Sequence, residues 1–438
     1  MLVGGSGMAL WDIVIIAIFL TILGILITEK LDKTVVTLIG AVITAVILNF
    51  VEHMPFEEIV LFIDFPTIMI IFGVLVAGNV MNDSGLFQWL AIKLVKLTKG
   101  DITKIFILLT MLTVILSSVL TILVAAIVVF QITNAITKAL NIDPKPFLTA
   151  EAVMISIGGT TSLIASPASI IIAEFAHLSF VFFTIYTMPI GILLGLIHVG
   201  IFIHIFHKRM TLDKEVTQII KDVLLEFDEW SVVPDKKLFY ASLVCLIGMI
   251  VGFVVFPEPH LVAFTSGLIF LLIGNIPFHR ISKEVEWEDI FFFIGIFIII
   301  GGVEHTGILH EIGLGLSAIS GGNPLIPLMI IVWFTGVTSG FLDEVTIALT
   351  FLPIITTLVE ASGFEIYATI FMIALILSTN LGGCLTPIGT PANLLILSKA
   401  RKEGTKITFT EFLRLGTIIV TINLIVESLY IVALYLLA

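Results

Sequence analysis

The stretch "TSGFLDEVTIALTFLP", Thr338 to Pro353, sets two carboxylates side by side, Asp343 and Glu344, at the head of an apolar run, with Thr346 just beyond. If that run lies in a membrane, each charge is costly there, and an ionisable side chain at such depth is a functional candidate. As a plain helix N-cap, Asp343 would contribute only about 1 kcal/mol. A second stretch, "GGCLTPIGTPANLLI" from Gly382 to Ile396, packs three glycines, two prolines and two threonines into another apolar segment. Thr390 before Pro391 matches an N-cap hydroxyl followed by proline at the first helical position. Ser166 before Pro167, in "GGTTSLIASPAS" from Gly158 to Ser169, matches it too.

Such residues need interrupted elements to hold them. The segments Phe147–Ala173 and Ile366–Leu397 each exceed one plain crossing and read as two half-helices joined by unwound backbone. Backbone groups freed in lipid cost several kcal/mol each, so a break persists only where it lines a cavity or is covered by protein. Each second half-helix would then start near the midplane with free N–H groups and a positive dipole end. Asn393, one turn in, adds an amide that can ligate a cation or donate to an anion. Two more segments, Ile105–Leu140 and Leu325–Leu358, are about twice one crossing and must return to the side they entered, as two spans or as a re-entrant hairpin. The tip of the first reads "SSVLT", with Ser117, Ser118 and Thr121; that of the second runs from Ser339 and Gly340 to Asp343.

The whole chain supports this setting. Of its 438 residues 58% are hydrophobic and 12% charged, against about 25% charged in soluble domains. Runs long enough to cross about 30 Å of hydrocarbon recur throughout. Besides the segments above, spans are expected at Trp11–Ile27, Val35–Phe50, Phe65–Met81, Phe180–Phe206, Leu238–Phe256, Leu261–Ile276, Ile290–Val303 and Phe412–Leu437. The scheme has ten crossings plus two returning segments, and it puts all 21 Lys and Arg on one side. Basic loops are cytoplasmic, so both termini are expected outside the cytoplasm. The first apolar run lacks a basic flank and a cleavage site and reads as a retained span. A net charge of −12 argues against a nucleic-acid partner. Cys245 and Cys384 lie in apolar segments and suit buried small residues.

The chain also repeats itself. "IDFPTIMIIFGVLVAGNVMNDSGL" aligns with "VEWEDIFFFIGIFIIIGGVEHTGI", pairing Gly73 with Gly295 and Gly85 with Gly307. The same offset pairs "SSVLTILVAAIVVFQI" with "SGFLDEVTIALTFLPI", and one two residues longer pairs the breaker motifs. Residues 1–207 and 238–438 therefore read as two copies of five crossings plus one hairpin, joined by a cytoplasmic linker, 208–237. In the linker, Val216, Ile219, Ile220, Val223, Leu224 and Phe227 have amphipathic-helix spacing. An odd number of crossings per copy makes the repeat inverted, a transporter signature with the site near the midplane.

These blocks, with "FTEFLRLG" from Phe409 to Gly416, resemble the ion transporter superfamily. The arsenite efflux pump and P protein branch, with its citrate-transporter-like domain, is the most similar; sodium/proton antiporters and divalent-anion/sodium symporters are related. The resemblance implies an all-α membrane protein with two re-entrant hairpins, two broken helices, a homodimer and an elevator-like movement. It also implies that tips and breaks bind substrate and coupling ion together. On this sequence those positions are Ser117, Ser118 and Thr121 with Gly158, Gly159, Thr160, Ser166 and Ser169, and Asp343, Glu344 and Thr346 with Asn380, Gly382, Thr386, Gly389, Thr390 and Asn393. Relatives commonly carry Asn in the first tip and Asp-Pro-Pro-Asn in the first break, where this chain has Thr121-Ile122 and Ser166-Pro167-Ala168-Ser169. The second half is thus expected to carry most of the coupling chemistry.

The expected activity is secondary active transport of a small ion across the lipid bilayer, coupled to Na⁺ or H⁺, with no cofactor. A small inorganic or carboxylate anion moved with a cation leads, and cation/proton antiport is the alternative. A channel would call for a ring of filter residues from several subunits, and an enzyme finds no H-E-x-x-H pair here. No Lys or Arg lies at membrane depth in this scheme, so an anion beside Asp343 requires a cation with it. Na⁺ or H⁺ is expected at a site built from Asp343, the carbonyls around Gly382 and Gly389, and the side chain of Asn393.

Overall fold

The computed structural model describes residues 10–28, 30–210, 228–281, 283, 285 and 287–437, and its regular elements there are helical. In chain order the first half gives α1 (Leu10–Thr28), α2 (Lys33–Phe50), α3 (Phe56–Val60), α4 (Phe65–Asp83), α5 (Leu86–Lys96), α6 (Ile102–Val119), α7 (Ile122–Ala139), α8 (Lys145–Thr161), α9 (Pro167–Phe175) and α10 (Phe180–Met210). The second gives α11 (Lys236–Val255), α12 (Pro259–Gly274), α13 (Phe278–Ile281), α14 (Trp287–His305), α15 (Ile308–Ser320), α16 (Leu325–Thr338), α17 (Glu344–Ser362), α18 (Ala368–Gly382), α19 (Pro391–Lys402) and α20 (Phe409–Leu437). Among the described residues, 10 helices are long and apolar enough to cross a membrane. Both arms of the first returning segment, α6 and α7, are among them; α16, with 14 residues, is not. The expected linker helix at Val216–Phe227 lies outside the described residues.

Besides the short α3 and α13, two longer helices escaped the hydropathy reading, α5 and α15. Each comes after a glycine with left-handed backbone, Gly85 at φ 75° and Gly307 at φ 77°. Glycine enters that region without steric cost, so α4 and α14 stop there and the chain turns. The bend between α14 and α15 is 65°.

The helices sort into two packed groups. In one, α2 lies along α14 and α4 along α12, with α1 and α11 flanking them. Each of those two close pairs joins a helix of one half to a helix of the other. Glycine makes the approach possible: a Cβ on Gly73 would overlap the Ala263 carbonyl, and one on Gly295 would press on the Thr37 backbone. The other group holds α6 to α10 and α16 to α20. It contains both broken helices and both returning segments.

Gly73→Ala should therefore cost stability, since overpacking against backbone that cannot yield costs about 1–3 kcal/mol or more. A fall in folded yield and in detergent melting temperature is expected. Gly200→Ala, where nothing lies within 4 Å of the added carbon, should leave both unchanged.

Candidate ion-binding site

In the second half the turn between α16 and α17 and the break between α18 and α19 are tied together. Asp343 caps α17, its Oδ1 accepting from the Val345 N–H at 2.9 Å. The Ser339 hydroxyl donates to the Thr379 carbonyl, and the Thr386 hydroxyl donates to the Gly340 carbonyl. Gly382 lies so close to Gly336 that a Cβ would overlap the Gly336 carbonyl, and a Cβ on Gly389 would overlap the Gly383 carbonyl. Thr390 caps α19, with Pro391 in its first turn. Asn393 points inward: its Nδ2 donates to the carbonyls of Gly383 at 3.1 Å and Thr386 at 3.2 Å, and the Thr386 carbonyl also accepts from the Gly389 N–H at 3.2 Å. Its Oδ1 is buried with no partner, and so is the Thr346 hydroxyl.

The first half is built alike with smaller polar groups. Thr121 caps α7, and the Ile122 N–H donates to the Ala165 carbonyl at 3.1 Å, joining tip to break. Ser166 caps α9, with Pro167 next. Ser117, Ser118 and Thr160 spend their hydroxyls on carbonyls of their own helices, those of Thr113, Ile115 and Ile157. Ser117 also fills the space over Gly158.

The halves meet at this point. Ser166 Oγ donates to Glu344 Oε1 at 2.8 Å, and Asn380 Nδ2 donates to Ser169 Oγ at 3.1 Å. Gly159 leaves room beside Asn380 Oδ1. Glu344, Ser166, Ser169 and Asn380 are all buried.

Beside this junction lies a cavity of about 370 Å³ lined by Lys33, Phe292, Asp343 and Pro391, among others. A narrower space continues inward past Thr121, Pro167, Asp289 and Glu344. Lys33 Nζ is 2.6 Å from Asp289 Oδ1 and also faces Asp343. The sequence scheme had put every basic residue in loops, away from the site. Lys33 instead opens α2 with its side chain in the cavity, and Asp289 comes from α14. A separate cavity of about 580 Å³ lies toward the other ends of α14 and α17, lined by Asp64, Glu174, Glu304 and Pro353, and includes no residue of either tip.

The profile of the citrate transporter family, CitMHS, matches residues 23–371 and 316–437. The chain belongs to that family. It is 26% identical to an uncharacterized transporter of Mycobacterium bovis over 423 residues, 96% of this chain and 97% of the relative. A 46 kDa membrane protein of Mycobacterium leprae is 26% identical over 431 residues, 97% of this chain and 99% of that one. The human P protein is 22% identical over 494 residues, 94% of this chain and 59% of the P protein. In structure the chain resembles the YdaH transporter of Alcanivorax borkumensis, with TM-score 0.61 and 13% identity over 96% of this chain and 97% of that one. The fold is therefore that of a membrane transporter.

Within this family member, the positions marked from sequence do not all face one space. Thr121, Asp343 and Glu344 line the narrow cavity, and Ser166 reaches it through Glu344. Asn393 borders neither that cavity nor the larger one beside it. Lys33 and Asp289 were missed because neither lies in a breaker motif. The available signal was an acidic pair, Glu288 and Asp289, opening an otherwise apolar helix.

Proposed function

We propose that the chain is a secondary active transporter that moves a small anion of the carboxylate class together with Na⁺ or H⁺. The observation that carries this reading is the charge balance at the narrow cavity: three carboxyl groups, Asp289, Asp343 and Glu344, against one ammonium, Lys33. Lys33 is already paired with Asp289. At least one further cation is needed before an anion can approach. The N-termini of α9 and α19 supply the attraction for that anion, since Pro167 and Pro391 border the same space. The family's description as citrate transporters supports a carboxylate cargo.

Alternating access by an elevator-type movement is part of the reading, with the two halves as inverted repeats. The group holding both breaks would move against the group built on α2, α4, α12 and α14. In keeping with this, the cavity at the Lys33 end reaches Asp343, while the one at the Glu304 end reaches neither tip. The basic loops make the Lys33 end cytoplasmic, leaving the termini outside, and the working unit is a homodimer. The unmatched carboxyl groups also favour a second reading, cation/proton antiport, in which the cation itself is the cargo.

Purified protein in liposomes tests both. Under the first, labelled citrate or a smaller carboxylate accumulates saturably when Na⁺ or H⁺ is higher outside, and an ionophore that collapses the gradient stops it. Under the second, added Na⁺ dissipates an imposed pH gradient with no anion present. Flux that neither saturates nor depends on a gradient would rule out both.

A further inference from the structure

We infer that Glu427 and Asn423, on the last helix, form a proton-binding site behind the second broken helix, separate from the cavity at Asp343. Both side chains are fully buried. Neither carboxyl oxygen of Glu427 has a hydrogen-bond partner, and Asn423 Oδ1 has none either. Residues four apart on a helix are neighbours on one face, so three acceptor oxygens gather there with no donor between them. Acceptors in excess call for a cation. A metal ion needs a cage of six or more oxygens in the hard-cation pattern, whereas a proton needs one acceptor and almost no space. A bare carboxylate without any donor would cost several kcal/mol, so Glu427 holds its proton in this arrangement.

The surroundings bring no competing charge. Of the helices packed on α20, α16 and α18 carry no titratable residue, α10 brings Tyr186, His198, His204 and His207, and Tyr367, just before α18, packs against Tyr435 of α20. Tyr430, on α20 itself, donates to the Tyr186 carbonyl. No charged group acts on Glu427 among the described residues.

What makes the proton exchangeable is the other end of the amide. Asn423 Nδ2 donates to the Leu381 carbonyl at 3.2 Å, in the last turn of α18 before the break. While that bond holds, Asn423 offers Glu427 only an acceptor, which suits the protonated acid. If the break rearranges and Leu381 withdraws, the same amide can turn its N–H₂ to Glu427 and stabilise the carboxylate. Proton affinity is thereby linked to the state of the break, and linkage is reciprocal. The first half has a counterpart. Gly191 seats α10 against Thr160 and Thr161 as Gly416 seats α20 against Cys384 and Leu385. Seven residues beyond each glycine stands a fully buried polar side chain, His198 and Asn423.

The test is infrared difference spectroscopy of the full-length protein in lipid, wild type minus Glu427→Gln, titrated with pH, with and without Na⁺. The isosteric amide keeps the packing, and equal melting temperatures for the two proteins check that. The expected result is a carboxylic C=O band that the variant lacks, that converts to a carboxylate band as pH rises, and that Na⁺ at constant pH does not remove. The band should persist in Asp343→Asn protein, which separates this site from the one proposed above. A Glu427 band absent at every pH, unchanged across the folded range, or abolished by Na⁺ would overturn the inference.

Discussion

Asp343→Asn protein in liposomes should lose roughly 100-fold in the initial rate of gradient-driven uptake, the equivalent of about 3 kcal/mol. Asparagine caps a helix as well as aspartate does, so the bond to the Val345 N–H survives and the fold should stay intact. What disappears is a negative charge at a cavity where Lys33 is already engaged by Asp289. The cation that Asp343 would hold then binds weakly, and its effect on melting temperature, which is set by mass action, should shrink with the rate. A variant with the wild-type rate and the wild-type ion dependence would remove Asp343 from the site.

Gly382→Ala should be nearly as damaging by a different route. The added methyl would overlap the carbonyl of Gly336, and neither backbone can step aside without parting α16 from α18. Overpacking of about 1–3 kcal/mol is the lower expectation, because the contact is with main chain rather than a side chain that can rotate. Melting temperature should fall and transport should be lost together. Gly248→Ala, where nothing lies within 4 Å of the new carbon, should be silent in both assays. If Gly382→Ala melts like Gly248→Ala, the tip and the break are not held as closely as described.

What could be read from sequence was local. Ser166-Pro167 and Thr390-Pro391 announced the starts of α9 and α19 because capping is decided within four residues. Spans emerged from hydropathy, since crossing length is a property of one segment. The pairing of Lys33 with Asp289 was not legible, because its partners are 256 positions apart and each alone resembles an ordinary end-of-helix charge. The bond from Ser166 to Glu344, across 178 positions, was hidden for the same reason. Asn393 stands in the first turn of α19, one turn past the cap as its spacing from Thr390 indicates, but periodicity does not say which way an amide points. Its N–H₂ closes the carbonyls of Gly383 and Thr386. The short helices α5 and α15 went unseen because Gly85 and Gly307 signal a turn but carry no sign of the helix beyond it.

The crossed pairing of α2 with α14 and α4 with α12 has a consequence for biosynthesis. A chain enters the membrane from its N-terminus, and domains ordinarily fold as they emerge. Here α2 and α4 wait for partners that are made only after α10 and the linker have been completed. During that interval the closely fitted faces around Thr37 and Gly73, which Gly295 and Ala263 later cover, are open to lipid or to a chaperone. Contacts so distant in sequence are slow to form, and a nascent chain arrested before Trp287 would hold α2 without the helix that completes it.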